Sequence, residues 1–96
     1  MNLTVKSKVW KYPGFGGWHF FTLSISVSKK IKNLMHGRLR GFGSIRVKAK
    51  IGKSEFRTSI FPTKEGNYLL PIKVEVRKKE EIGAGDTVRV RLTLFI

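Results

Sequence analysis

The chain contains no cysteine and no glutamine, and all six of its acidic residues follow position 54. The absence of cysteine excludes disulfide-stapled secreted scaffolds, thiolate catalysis and zinc sites built on cysteine. No run approaches the roughly 20 apolar residues that a membrane span needs. The N-terminus lacks the hydrophobic segment and small-residue cleavage site that are typical of a signal peptide. We therefore expect a cytoplasmic protein with no membrane association.

The charge is strongly positive and unevenly distributed. The 96 residues include 20 Lys or Arg and 6 Asp or Glu, a formal net charge of +14. Residues 1–54 hold 12 Lys or Arg and no acid, whereas residues 55–96 hold 8 Lys or Arg and all 6 acids. This asymmetry favours nucleic acid or another polyanion as the partner. A lysine-rich surface of the kind found in hyperthermophile proteins is the alternative explanation.

Alternation of apolar and polar residues predicts short strands. The pattern is cleanest in IRVKAKI at 45–51, which Gly52 and Lys53 turn into a hairpin. In the second strand of that hairpin, Glu55, Arg57 and Ser59 share one face. The predicted strands cover residues 3–10, 18–23, 45–51, 55–60, 68–70 and 88–94.

Two short helices interrupt these strands. Ser26 is predicted to cap the first helix, and Gly37 to end it. Four residues form its apolar stripe: Val27, Ile31, Leu34 and Met35. The second helix is predicted over 73–80, with Val76 in the core. The order ββαβββαβ predicts one mainly β domain over residues 1–96, a small closed or partly open barrel of about six strands with two short helices.

The two strand–helix–strand segments resemble each other. The first runs from LS at 23–24 through a helix to GSIRVK at 43–48. The second runs from LP at 70–71 through a helix to GDTVRVR at 85–91. This weak repeat predicts two units related by a pseudo-twofold axis.

The sequence offers little material for catalysis. The chain has two histidines, His19 and His36, and no carboxylate lies near either of them in sequence. A catalytic or metal site needs several such groups to converge. We therefore predict a non-enzymatic binding domain with no catalytic residue, metal site or cofactor.

Cations share one face on three of the predicted strands, because side chains two residues apart point the same way. If those strands are neighbours, the cations form a basic patch suited to phosphate contact. The candidate nucleic-acid contacts are Lys6, Lys8, Arg46, Lys48, Lys50, Arg89 and Arg91.

Three aromatic residues, Trp10, Phe15 and Trp18, flank the first glycine-rich turn. They are positioned to stack on a base or to line a pocket, unless they merely close one end of the barrel. The alternative function is therefore a small-ligand or protein-interaction module at this aromatic end. Either function is compatible with a monomer or a homodimer.

From Trp10 onward the chain resembles the bacterial and archaeal family called domain of unknown function 1905. The resemblance covers nearly the whole chain and departs from the family at Ser24, where proline is usual, and in a first helix unusually rich in lysine. The residues that carry it are GWHF at 17–20, GFGSIRV at 41–47, FRTSIFP at 56–62, GNYLLPIK at 66–73, VRK at 76–78 and GDTV at 85–88.

The resemblance implies a fold and no activity, since the family's biochemistry is not established. It implies a pseudo-barrel similar to the double-split barrel of AbrB-like transcription regulators. Their typical ending resembles Arg77, Ile82, Gly85-Asp86 and Val88, but the helix before it is two residues longer here. Their DNA-contacting loop therefore has no numbered counterpart in this chain. Because those regulators bind as interlocked dimers, one chain holding both units would be a monomeric pseudo-dimer.

Overall fold

The computed structural model describes residues 2–35 and 43–95, with the side chain of Phe15 excepted. Gly37, the predicted end of the first helix, and His36, one of the two histidines, lie outside the described residues. Within the described part of the chain, no helix is long and apolar enough to span a membrane. The elements are β1 (Asn2–Lys11), a 3₁₀ turn (Phe15–Gly17), β2 (His19–Thr22), α1 (Ile25–Leu34), β3 (Ile45–Ile51), β4 (Ser54–Pro62), β5 (Tyr68–Pro71), α2 (Val74–Lys79) and β6 (Thr87–Leu94).

The six strands close into an antiparallel barrel in the order β1-β2-β5-β4-β3-β6. This confirms the predicted mainly β fold with six strands and two short helices. β3 and β4 form the predicted hairpin, with Ile51 opposite Ser54. Over the described strands, β4 and β5 pair at two positions, with Leu69 opposite Phe61 and Tyr68 opposite Pro62. This pairing is short compared with the seven residue pairs that join β3 to β4.

The barrel interior is filled by the inward residues of every strand. On β3, Val47 and Ala49 are fully buried while their neighbours face outward. Burying one such aliphatic side chain contributes on the order of 1.5–3 kcal/mol for residues of valine size and above. Tyr68 is buried in this core, and its desolvation raises the pKa of its hydroxyl above the ordinary value. The largest fully buried side chains are Phe21, Leu23, Ile31, Ile60, Leu70 and Leu92.

The prediction that Ser26 caps α1 is wrong. Ser24 is the cap: its backbone is extended, and its Oγ accepts a hydrogen bond from the Val27 N–H at 3.3 Å. Ser26 lies exposed in the first turn, where its Oγ is 3.3 Å from that of Ser24. The predicted apolar stripe of α1 does face the core, since each of its members is buried or half-buried.

A buried hydroxyl ties α1 to the sheet. Ser28 is fully buried, and its Oγ accepts from the Tyr68 N–H at 3.0 Å. The same hydroxyl donates to the carbonyl of Leu23 at 3.5 Å. This one polar side chain therefore joins the helix, the end of β2 and the start of β5.

α2 is shorter and less deeply anchored. Val76 is buried, as predicted, but the cap residue Lys73 makes no side-chain hydrogen bond to the helix. Past the end of α2, the Glu80 carboxylate accepts from the Ser54 hydroxyl at 2.6 Å. Gly52, in the hairpin turn at φ 57°, lies so close that a Cβ there would overlap this carboxylate.

The two halves of the chain have the same connectivity. Exchanging β1, β2 and β3 with β4, β5 and β6 leaves the order of strands around the barrel unchanged. Two reciprocal hydrogen bonds follow the same exchange: Leu23 N–H donates to the Tyr68 carbonyl at 2.9 Å, and Ile72 N–H to the His19 carbonyl at 3.0 Å. The exchange relates the same two strand–helix–strand segments as the predicted repeat, but it pairs residues 23–24 with 72–73, whereas the predicted repeat aligned them with 70–71.

Candidate nucleic-acid interface and adjoining groove

The predicted cations lie on the outer side of the four strands with the longest pairings, β1, β6, β3 and β4. Strand alternation puts them there, because the residues between them face the barrel interior. Arg89 and Arg91, for example, flank the fully buried Val90. On β3 the outward positions are Arg46, Lys48 and Lys50 in the same way.

The cross-strand register brings these cations close together. Lys6 on β1 lies opposite Arg89 on β6. Arg91, the next outward residue of β6, lies opposite Lys50 on β3. Directly opposed residues in an antiparallel pair have Cβ atoms about 5 Å apart. Positive charge therefore runs without interruption across three strands.

The remaining cations extend the same surface. Lys48 lies opposite Arg57 on β4, and Arg46 lies opposite Ser59. Lys8, opposite Thr87, lies at the far end of β1. All seven predicted contacts thus share one side of the barrel, together with one cation that was not predicted. We call this surface the basic face, and it comprises Lys6, Lys8, Arg46, Lys48, Lys50, Arg57, Arg89 and Arg91.

One acid interrupts the basic face without neutralising it. Glu55 lies opposite Lys50, and its carboxylate is 3.9 Å from the Lys48 ammonium. Both side chains of that ion pair are well exposed, at 39% for Lys48 and 53% for Glu55. An exposed pair of this kind contributes at most about 1 kcal/mol. The cations around it therefore remain available to an anionic partner.

An open apolar groove of about 930 Å³ adjoins the basic face beside the short pairing of β4 with β5. β4, the segment from β5 into α2, and the segment from Tyr12 to Phe20 line it. Among the described residues, four of the six exposed large apolar side chains lie in this groove. Clustered exposed apolar surface of this kind makes the groove a candidate binding site. The apolar side chains of this aromatic groove include Tyr12, Trp18, Phe20, Phe61, Leu69 and Val74.

The glycine-rich turn positions Trp18, the most exposed of these side chains at 57%. Gly16, at φ 86°, lies so close to the indole that a Cβ there would be 3.1 Å from the ring. The indole also stacks nearly parallel on Phe20, with 6.2 Å between ring centroids. The turn is closed by His19, whose Nδ1 donates to the Gly17 carbonyl at 2.6 Å, because a carbonyl can only accept.

The three predicted aromatic residues do not form one pocket. Trp18 lines the groove, whereas Trp10 is not among the described residues that line it. The Trp10 indole N–H donates to the Thr22 hydroxyl at 2.8 Å, and its ring contacts that of Phe20, with 5.3 Å between ring centroids. The side chain of Phe15 lies outside the described part of the structure.

The rim of the aromatic groove is cationic. Arg46 and Arg57 line it as well as belonging to the basic face, and α2 contributes Lys73 and Arg77. Glu75 is the one acid among the described residues that line the groove. The Nε of Arg77 donates to the carbonyl of Ile72 at 3.3 Å, which holds this side chain along the groove wall.

The described residues that line the groove include no group of metal ligands. Among residues 2–35 and 43–95, no three His, Cys, Asp or Glu side chains lie close enough to hold a metal ion. The arrangement of flat apolar rings beside guanidinium and ammonium groups suits a planar ligand that carries negative charge.

The profile of the family described as Domain of unknown function (DUF1905) matches residues 6–92. No curated protein matches the chain.

Proposed function

The chain belongs to the DUF1905 family, whose description assigns no activity, and we propose from its surface that it is a cytoplasmic, non-enzymatic module that binds nucleic acid through the basic face. The observation that carries the proposal is the register of β1, β6, β3 and β4. It collects eight cations from four strands on one surface, with Glu55 as the acid among them. Phosphate contacts from Lys and Arg supply most of the affinity for nucleic acid.

The competing explanation is a lysine-rich surface of hyperthermophile type, with no polyanionic partner. Exposed lysines do occur away from the basic face, for example Lys29 and Lys30 on α1. Like charges placed directly opposite one another on a sheet are destabilising, however, and a thermostable surface intersperses both signs. The pairs Lys6–Arg89 and Lys50–Arg91 are like-charge pairs, and a polyanion would relieve their repulsion.

We also propose that the barrel is a double-split barrel like that of the AbrB-like regulators, with both halves supplied by one chain. The support is the strand order, which is unchanged when the two halves are exchanged, and the short pairing of β4 with β5. On this proposal the protein is a monomer. Fold alone carries no DNA-binding activity, so nucleic-acid binding rests on the basic face.

The test is a salt titration of binding to labelled single-stranded DNA, RNA and duplex DNA, followed by fluorescence anisotropy. If about five phosphates are contacted, log K should fall with log salt at a slope of about −3.5 for a single strand. The double variant Lys50→Glu/Arg91→Glu should bind the single strand at least about tenfold more weakly and reduce the slope by about 1.4.

The matched control is Lys29→Glu/Lys30→Glu, which makes the same change in net charge on α1. It should keep most of the affinity if binding depends on the basic face. Equal losses in the two double variants would show that net charge alone is responsible. No binding of any nucleic acid at low salt would contradict the proposed function.

The alternative function, a small-ligand or protein-interaction module, is supported by the aromatic groove and the exposed apolar side chains gathered there. Four cations on its rim mean that such a ligand would be anionic. Quenching of tryptophan fluorescence by a metabolite, in a protein that binds no nucleic acid at low salt, would favour this alternative.

A further inference from the structure

We propose that the aromatic groove holds an unstacked base of a single-stranded nucleic acid whose phosphates lie on the basic face, so that the protein prefers single strands to duplexes. This inference rests on the proposed nucleic-acid binding and names the form of nucleic acid that is bound.

The apolar side chains of the groove fit a flat ring. Tyr12, Trp18 and Phe61 are each close to half exposed, at 50%, 57% and 44%, so the free protein leaves large aromatic surfaces in water. Every base has a π face, and stacking on an aromatic side chain is tolerant of base identity. The Trp18 indole stacks on Phe20 and meets Gly16 along its Cδ1–Nε1 edge, and 57% of the residue stays exposed to a base.

The charge of the groove requires that its occupant be anionic. Arg46, Arg57, Lys73 and Arg77 line it, with Glu75 opposing them. A purely apolar ligand would make no use of these positive charges, and a cationic ligand would be repelled by them. A nucleotide unit supplies the flat ring and the negative charge together.

The groove and the basic face are continuous through two arginines. Arg46 and Arg57 line the groove, and each has a neighbour on the basic face, Lys48 beside Arg46 on β3 and Lys48 opposite Arg57 across the hairpin. Outward residues two apart on a strand lie about 7 Å apart. A single-stranded nucleic acid that leaves the groove therefore meets closely spaced cations, from Arg57 to Lys50 and Arg91.

The groove also explains why a duplex would bind less well. Bases inside a duplex are stacked and paired, so reaching the groove would require unpairing, which costs a few kcal/mol. A single strand can splay a base out at much lower cost. The basic face would still attract a duplex through its phosphates, but without the contribution of the groove.

The experiment uses the fact that the chain has two tryptophans, Trp10 and Trp18. In the single-tryptophan variant Trp10→Phe, oligo-dT should quench the fluorescence of Trp18 strongly, because a stacked base quenches an indole. In Trp18→Phe, the same oligonucleotide should leave the emission of Trp10 nearly unchanged, since Trp10 lies outside the groove and is bonded to Thr22.

Affinity measurements on further variants test the inference without relying on fluorescence quenching. Trp18→Ala should weaken single-strand binding by on the order of tenfold and leave duplex binding within about twofold. Ile25→Ala, which removes another exposed apolar side chain outside the groove, is the matched control and should change neither affinity. Circular dichroism and thermal unfolding of each variant verify that the fold is retained.

The outcomes separate the inference from the proposed function. Equal binding of single strands and duplexes, or equal losses for both in Trp18→Ala, would overturn the groove as a base site while leaving the basic face intact. Quenching of Trp18 by an acidic peptide as strong as that by oligo-dT would also overturn it and would assign the groove to proteins. Absence of all nucleic-acid binding would remove the proposed function itself.

Discussion

The junction between β2 and α1 and the junction between β5 and α2 are equivalent under exchange of the two halves of the chain. The first is closed by side-chain hydrogen bonds, whereas the second opens into the aromatic groove. In both, a strand ends, a backbone N–H crosses to the other half, and a helix begins. At the closed place, the carbonyl of Leu23 accepts from the side chains of Asn67 at 2.7 Å and Ser28 at 3.5 Å. At the groove, the carbonyl of Ile72 accepts from Arg77 at 3.3 Å.

The side chains that differ between the two places account for the groove. Ser28 and Arg77 each lie four residues after their helix caps, and Asn67 and Trp18 each precede the residue whose carbonyl receives the crossing N–H. Short polar groups fill the closed place with direct hydrogen bonds. A long guanidinium and a large indole cannot fold inward in the same way, so they stand around an open space. The same backbone arrangement thus gives a hydrogen-bonded junction in one half and an open groove in the other.

The largest expected difference between the two halves lies in how deeply the helices are anchored. Ile31 of α1 is fully buried, so Ile31→Ala should lower the free energy of unfolding by about 2–5 kcal/mol. Val76 of α2 is 6% exposed and loses two methyl groups in Val76→Ala, so the loss should be about 1–2 kcal/mol. Urea unfolding of the two variants measures both values. A larger loss for Val76→Ala would show that the halves are anchored in the opposite order.

The strands could be predicted from the sequence because their pattern is local. Alternation located β3 at residues 45–51, and the two-residue turn at Gly52 and Lys53 located its partner. The order of the strands was not predictable, because it depends on pairings between distant segments such as β1 with β6. The cap of α1 was misplaced since Ser24 and Ser26 are chemically identical, and only the path of the chain out of β2 distinguishes them.

The basic face could be predicted more fully than the aromatic groove. Its members alternate within strands, and even Arg57 was within reach, because a two-residue hairpin turn places it opposite Lys48. The groove instead joins residues far apart in sequence, such as Trp18 and Phe61, through the pairing of β2 with β5 and of β5 with β4. Without that topology, Trp18 could be named only for its place beside a glycine-rich turn.

The next difference concerns the equivalent residues Ser28 and Arg77. Ser28→Ala leaves the buried N–H of Tyr68 without its acceptor and should cost about 1–3 kcal/mol of unfolding free energy. Arg77→Ala removes a 3.3 Å hydrogen bond from a half-buried side chain and should cost about 0.5–1 kcal/mol. Hydrogen exchange at the Tyr68 amide gives a second readout, which should rise in Ser28→Ala. Unchanged protection there would show that the Ser28 hydroxyl is not the acceptor.

The smallest expected difference lies at the two helix caps. Ser24 and Lys73 have the same extended backbone, with φ near −61° and −63°, but only the side chain of Ser24 accepts from its helix. Ser24→Ala should therefore lower the free energy of unfolding by about 1 kcal/mol, whereas Lys73→Ser should raise it by about 0.5–1 kcal/mol by supplying the missing cap. Ser26→Ala is the control and should stay within about 0.5 kcal/mol. Stabilisation by Lys73→Ser would show that α2 lacks a cap for want of a suitable side chain, because the backbone there already has the geometry of the capped half. A loss in Ser26→Ala as large as that in Ser24→Ala would contradict the assignment of Ser24 as the cap.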